Sequence, residues 1–577
     1  MRLLAATPGG SGRGMRTSGI QALLQMLADA GVRYVFGNPG TTELPLSDAL
    51  VHEKRIRYML GLQEVPVMAM ADGYAMASRS LGVVNLHISC GLGNAMGMLY
   101  NAFREGTPLL VTAGQQDRRL KFQEPILYGD MVSVVRPWTK WAVEVERPED
   151  LPGAVRRAVQ LALTPPTGPV FLAIPLDVQM QEAELDLTPG APLSYRVRPP
   201  LDALWHAADV LAAARNPAIL VGSRVTEADA VDELVAVAER LGAPVFSEPG
   251  HSHGRLSFPA DHPLYAQTLP LWAPEISKRL AEFDVLLVAG MDLLREYIFH
   301  GPEPAIPKRA RLVHLDENPR EIGKNFPVEV GLLGDTKSGL AELDALLASV
   351  ISDDMRVEAA ARRESRGKLH HDVRDKLRAA IASKRDVRPM TPGVLMESLA
   401  RVLPDNVAVI EEAVTTTNTS FQRLGALKNT DGYFAHRGWA LGWGLGCSLG
   451  VKLAWPDRPV LALLGEGAAM YGIQALWSAA HHKLNATIVV CNNAQYQILK
   501  AGAAGLGLPA AKAGQFVGMD LRQPEIDMVG LAQAMGVSAE RIGEPDELAE
   551  KVRQSLAASD APRLFDVPIE RTLAGPG

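Results

Sequence analysis

Between residues 460 and 496 the chain carries residues suited to holding a divalent cation and a phosphate. An apolar run, Val460 to Leu464, ends in Gly465-Glu466-Gly467, and a second, Thr487 to Cys491, ends in Asn492-Asn493. Glu466 and Asn493 lie 27 positions apart, with room for one helix between them. A buried strand that ends in a carboxylate presents it at the sheet edge where open parallel sheets collect ligands. The flanking glycines let the backbone turn and approach a ligand closely. The free N–H groups of the helix that follows can receive a diphosphate. The Glu466 carboxylate, the Asn493 amide oxygen and the Gln495 backbone carbonyl, completed by phosphate oxygens, form an all-oxygen shell suited to Mg²⁺ or Ca²⁺. A Gly-acid-Gly triplet alone reads equally as a turn, and the second strand end sharpens it.

A second acid stands far upstream. Glu64 follows the strand candidate Ile56 to Gly61 and opens the apolar helix Val65-Pro66-Val67-Met68-Ala69-Met70-Ala71. That context buries its carboxyl group; taken alone, it could equally be a first-turn acid favoured by the helix dipole. His87 closes a buried strand, Val83 to Ser89, where an imidazole either transfers protons or is a satisfied structural group. In the turn Asn38-Pro39-Gly40-Thr41, the Thr41 hydroxyl can meet a substrate oxygen or its own backbone.

The elements that must position these groups form three α/β units. Strand candidates 32–37, 56–61, 83–89, 109–114 and 170–175 alternate with helical patterns in the first unit, 19–187. The second unit, 201–350, has strands at 218–222, 244–247, 285–290 and 311–316. The third, 390–571, has strands at 407–411, 460–465, 487–492 and 564–569. Apolar runs alternating with amphipathic helices predict doubly wound, mostly parallel sheets covered on both faces. Residues 351–389 carry dense mixed charge and read as a solvated helix and connector. Residues 1–18 read as a disordered extension.

The pattern resembles the thiamine-diphosphate-dependent enzymes, whose signature is Gly-Asp-Gly followed some 25 to 30 residues later by Asn. Within them it is similar to benzoylformate decarboxylases, through Phe36-Gly37-Asn38-Pro39-Gly40, Asn85-Leu86-His87, Gly93-Asn94-Ala95-Met96-Gly97 and Thr112-Ala113-Gly114-Gln115-Gln116, and to acetolactate synthase-type carboligases. The resemblance implies a pyrimidine-binding first domain, a middle domain and a diphosphate-binding third domain, in a homodimer or homotetramer whose active sites lie between subunits. It implies Glu64 as the partner of the cofactor's aminopyrimidine and Leu441 as the apolar wedge beneath its two rings. Gly465, Gly467, Ala468, Tyr471, Asn493 and Tyr496 would hold the diphosphate, with Glu466, Asn493 and Gln495 on the metal. His87 would be a proton donor and Thr41 a substrate-binding hydroxyl. Glu466 departs from the family's Asp by one methylene, so the metal shell must adjust. A second histidine that such decarboxylases draw from the middle domain has only Tyr297 and His300 as candidates. Ala501 and Gly502 replace large aromatics. With Asn38, the cationic His436 and Arg437 are expected to line the pocket and to favour a polar or anionic 2-oxo acid, Arg437 by bidentate pairing.

The implied reaction is decarboxylation of a 2-oxo acid. A carboligase is the alternative, and a non-catalytic cofactor-binding relative is a third reading, resting on Glu466. A Gly-x-Gly-x-x-Gly loop in strand–turn–helix context with an acid about twenty residues on is absent, which argues against a nicotinamide dehydrogenase, and nothing in the residues calls for FAD. A net charge of −7 argues against a nucleic-acid partner. No apolar run is long enough to span a bilayer. Three widely spaced cysteines form neither a disulfide framework nor a zinc motif and fit a cytoplasmic location.

Overall fold

A computed structural model describes residues 14–190, 193–248, 254–296, 301, 304–558 and 561–571. Three six-stranded sheets, each with every ladder parallel, carry the architecture. In the first, spatial order runs Arg57–Leu60, Tyr34–Gly37, Gly82–Leu86, Leu109–Gln115, Val170–Pro175, Trp141–Glu144. The third has the same order, with Tyr433–Phe434, Ala408–Glu412, Val460–Gly465, Thr487–Asn492, Arg563–Pro568 and Ser538–Arg541. Numbered within each unit, both read 2-1-3-4-6-5. The middle sheet reads 3-2-1-4-5-6, the order of a dinucleotide-type fold.

The strand order reverses between strands 1 and 3 in the first and third sheets. Such switch points leave a crevice beyond the carboxyl ends of the strands. In the first sheet the crevice is flanked by the ends of Tyr34–Gly37 and Gly82–Leu86, followed by Asn38 and His87. In the third it is flanked by Glu412 and by Gly465-Glu466. The residues singled out for chemistry therefore stand at the two places where topology opens a cleft.

The helices Glu64–Ser78 and Trp443–Ala454 bring these two units together. They share one apolar core with both sheets, including Phe36, Val84, Ile410 and Leu464. Glycines permit near backbone-to-backbone contact. A β-carbon at Gly450 would stand 2.0 Å from the Met70 carbonyl oxygen, one at Gly446 2.7 Å from that of Pro66, and one at Gly73 2.4 Å from that of Cys447. The indole N–H of Trp443 donates to buried Asp72 at 2.6 Å, adding a polar tie across the same seam.

Two expectations change. Residues Met15–Ser18, expected within a disordered extension, form a strand paired antiparallel with Glu182–Leu185. The ladder and the Arg16–Glu182 ion pair supply contacts that a Gly- and Ser-rich composition did not announce, and Ser18 caps the next helix in a capping box with Gln21. Each sheet also has outer strands beyond those the sequence suggests: Trp141–Glu144, Tyr265–Thr268, Val330–Leu333, Tyr433–Phe434 and Ser538–Arg541. All five lie at sheet edges; Trp141–Glu144 and Ser538–Arg541 are only partly covered, where no continuous apolar run is required, and Tyr433–Phe434, though buried, is only two residues long. The charge-dense segment contains a thirty-residue helix, Asp353–Ala382, with only Ala359 and His370 buried.

Candidate active site

Glu64 opens its helix with Gln63 as N-cap. Its buried carboxylate accepts from the Asn38 amide at 3.3 Å on one oxygen and from the Asn94 amide at 3.0 Å on the other. Asn38, expected to face substrate, therefore directs its amide to Glu64. A β-carbon at Gly91 would lie 3.2 Å from Glu64 Oε1 and 3.3 Å from His87 Cβ, which places the acid and the imidazole around one glycine.

His87 is the N-cap of the helix Ile88–Glu105 rather than a strand residue. Its Nδ1 pairs with Glu43 Oε2 at 2.8 Å. Glu43 is itself buried and accepts from the Thr42 hydroxyl at 2.7 Å and the Gly114 N–H at 2.8 Å. This pairing orients the ring and leaves Nε2 for other work. Ile88 sits at φ 32°, an outlier for a β-branched residue, with its N–H 3.4 Å from Glu43 Oε1. Backbone held in such a region is characteristic of functional sites. Thr41 is exposed, while the neighbouring Thr42 hydroxyl is the one beside Glu43 and, at 3.5 Å, His87.

In the third unit the metal candidates converge. The Gln495 N–H lies 3.2 Å from Glu466 Oε1 and 3.1 Å from Asn493 Oδ1, so both oxygens face the same point. Asn492 shapes this turn by accepting from the Ala494 N–H and donating to Asp566, and Ala494 adopts a left-handed φ of 50°. Lys500 occupies the Gln495 side-chain oxygen at 2.9 Å, which leaves the backbone carbonyl for a ligand. Burial pushes the Glu466 carboxyl up to about 7, against the opposing pull of backbone N–H groups at Glu466 and Asn493 to Gln495. A buried acid and an amide oxygen that meet at one backbone N–H are donors suited to a cation, which would hold the carboxylate ionised. Tyr496 covers Gly467, whose β-carbon would meet the ring at 2.7 Å, and Ala468 is buried nearby. Tyr471 is exposed, with its Cβ against Gly442.

Leu441 is half-buried in the segment 436–444, whose fastening the sequence did not reveal. Glu412, ending its strand, accepts from the N–H groups of Gly442, Trp443 and Gly444 at 2.9–3.0 Å. A β-carbon at Gly442 would touch Val65 at 3.0 Å, so the segment abuts the residue next to Glu64.

His436 and Arg437, expected to line the pocket, are both buried beside partners inside the protein. His436 is buried, accepts from the Trp439 N–H at 2.9 Å and packs on Trp443. Burial lowers its pKa to about 4, so it is neutral rather than cationic. Arg437 is buried, with Nη2 3.0 Å from Asp292 and Nε 3.8 Å from Glu248, and its backbone N–H donates to Glu105 at 3.1 Å. Its counter-charges, Asp292 and Glu248, come from the middle domain, and none of its three guanidinium nitrogens makes a hydrogen bond among the described residues. Tyr297 and His300 lie outside the described residues.

Sequence and structure comparisons agree with this layout. Residues 17–126 match the thiamine pyrophosphate enzyme N-terminal TPP binding domain, 204–343 the central domain and 414–567 the C-terminal TPP binding domain. The chain is 32% identical to a benzoylformate decarboxylase of Pseudomonas aeruginosa over 95% of its length and 98% of the relative's. It is 27% identical to a probable acetolactate synthase large subunit of Methanocaldococcus jannaschii, over 97% and 93%. The solved thiamine diphosphate-dependent 4-hydroxybenzoylformate decarboxylase of Rhodococcus jostii superposes with a TM-score of 0.84 at 30% identity, covering 96% of this chain and all of that one. With two switch-point crevices, an acid in each, and all three domain models matched in order, the chain belongs to the thiamine pyrophosphate enzyme family.

Proposed function

We propose that the protein is a thiamine-diphosphate-dependent decarboxylase of a 2-oxo acid. The observation that carries this is the coexistence of a buried, amide-bracketed Glu64 beside His87 with an oxygen set converging at Glu466 and Asn493. Thiamine diphosphate, when bound, supplies the carbon nucleophile and the electron sink that loss of CO₂ from a 2-oxo acid requires. Glu466, Asn493 and the Gln495 carbonyl would hold Mg²⁺ or Ca²⁺, and the Gly465–Ala468 turn would take the diphosphate. Glu64 would hold the aminopyrimidine edge, with Asn38 and Asn94 fixing its two oxygens. Leu441 would support the rings from below. His87, oriented by Glu43, would hold a proton at Nε2 for delivery to the product.

We further propose that the active assembly is at least a homodimer. Leu44, Leu62, Met470, Tyr471, Ile498 and Leu499 are exposed near the ends of these strands, and exposed apolar side chains in such number suit a partner surface. Because His436 is neutral and Arg437 has buried counter-charges, neither is used to choose among substrates, and the substrate is assigned only as a 2-oxo acid. A carboligase remains the second reading, favoured by open space at Gly502, where a β-carbon meets nothing within 4 Å. Mass spectrometry of products from Mg²⁺-loaded protein, thiamine diphosphate and mixed 2-oxo acids, with and without acceptor aldehydes, separates the two. Free aldehyde supports the decarboxylase, hydroxyketone the carboligase, and neither product contradicts both.

A further inference from the structure

One helix runs from His87, past the asparagine that holds Glu64, to the segment that carries Leu441. His87 caps the helix Ile88–Glu105. Asn94, seven residues on, holds Glu64. Asn101, seven further, both donates to the Ala440 carbonyl at 2.8 Å and accepts from the Ala440 N–H at 3.0 Å. Glu105, one turn later, accepts from the Arg437 N–H. A spacing of seven is close to two turns, so these side chains lie along one face about 10 Å apart. Asn101 and Glu105 are buried, 0% and 4% exposed, so their bonds to the segment are shielded from water.

From the other side, Glu412 uses both carboxylate oxygens on Gly442, Trp443 and Gly444. Leu441 thus sits between one residue gripped by the first unit and three gripped by the third. Gly442 needs its left-handed φ of 97° here, and a β-carbon at Gly438 would collide with Asn101 Oδ1 at 2.3 Å. The segment has no room to drift.

We propose that Asn101 and Glu412 are positioning residues for Leu441, the helix Ile88–Glu105 of the first unit and the strand end at Glu412 of the third holding the backbone on either side of it. This rests on the reading of Leu441 as the wedge. Neither residue touches the reacting atoms; each acts through backbone that carries Leu441.

The test compares Glu412→Gln, Asn101→Ala and Leu441→Ala, singly and with Leu441→Ala added to each of the others. Glutamine keeps the shape of Glu412 but turns an N–H₂ group toward an N–H donor. Amide hydrogen exchange on the protein without cofactor should show residues 440–444 exchanging about tenfold faster or more in Glu412→Gln and Asn101→Ala, with the strand Val460–Gly465 unchanged. Kinetics should show kcat lowered about tenfold with KM for the active 2-oxo acid changed less than about twofold, and little further loss when Leu441→Ala is added. Should Glu412→Gln fail to fold, Asn101→Ala carries the same comparison. Unchanged exchange at 440–444, or losses that simply add to that of Leu441→Ala, overturns the positioning role. A silent Leu441→Ala overturns the wedge reading itself, and the proposal with it.

Discussion

Replacing Gly450 with alanine probes the seam on which the site depends. Helix propensity alone favours alanine over glycine by about 1 kcal/mol, so on local grounds the variant should be more stable. The structure reverses that sign. The added carbon would stand 2.0 Å from the Met70 carbonyl oxygen and 2.6 Å from the Tyr74 nitrogen, both backbone atoms that no rotamer change can move. Restoring ordinary contact requires the helices Glu64–Ser78 and Trp443–Ala454 to separate by roughly 1.4 Å, and gaps of that order forfeit a quarter to half or more of each dispersion contact along the seam. Overpacking of this kind costs about 1–3 kcal/mol and sometimes more, so we expect a net loss of about 3 kcal/mol. Because Glu64 begins one helix and Leu441 precedes the other, cofactor affinity should fall together with stability. The assay is urea unfolding paired with calorimetric titration of thiamine diphosphate in Mg²⁺. Gly502→Ala, in open space on a helix, is the control and should be neutral or stabilising by up to about 1 kcal/mol. If Gly450→Ala unfolds like the parent and binds cofactor equally well, the backbone-contact account of the seam is wrong.

Other perturbations reach the remaining groups. Arg437→Met should destabilise the fold by about 3 kcal/mol, by leaving buried acids short of a counter-charge, while KM for any active 2-oxo acid stays within about twofold; a large rise in KM at unchanged stability would assign it a substrate role. His87→Ala should lower the rate of aldehyde release by about a hundredfold without weakening cofactor binding, and rapid quench kinetics would show whether it does. His436 is held near 4, below its unfolded value, so it costs nothing above about pH 6.5, and its penalty grows as pH falls toward 4, where it reaches about 3 kcal/mol. A His436→Asn variant should accordingly gain on the parent by that amount between pH 7.5 and 4 in parallel denaturation series, and a constant difference would contradict burial of the ring. Chelation should release the cofactor and lower the unfolding midpoint, and readdition of Mg²⁺ should restore both; cofactor binding indifferent to chelator would remove the metal role of Glu466 and Asn493.

The central strands were legible because a strand covered on both faces must be apolar throughout, as Val460 to Leu464 and Val170 to Ile174 are. The edge strands were not, because Ser538–Arg541 and Trp141–Glu144 are only partly covered and carry mixed residues. Glu64, Glu466 and Asn493 were visible from their places at strand ends. Glu43, Asn94, Asn101 and Glu412 were not, since each acts through a partner distant in sequence: Asn101 meets Ala440, 339 positions away. The one local signal was the repeat of seven from His87 through Asn94 to Asn101, which puts polar groups on one face of an otherwise packed helix. The counter-ions of Arg437, Asp292 and Glu248, were not legible because they arrive from the middle domain, far away in sequence.

The most direct measurement is 2-oxo acid-dependent CO₂ release by the parent and by Glu64→Gln, each first shown by calorimetry to bind thiamine diphosphate and Mg²⁺. A shared site predicts that both bind cofactor and that release by the variant falls by a factor of about 10² or more. Equal release by the two proteins would contradict the assignment of Glu64 and, with it, the pairing of the two crevices around one cofactor.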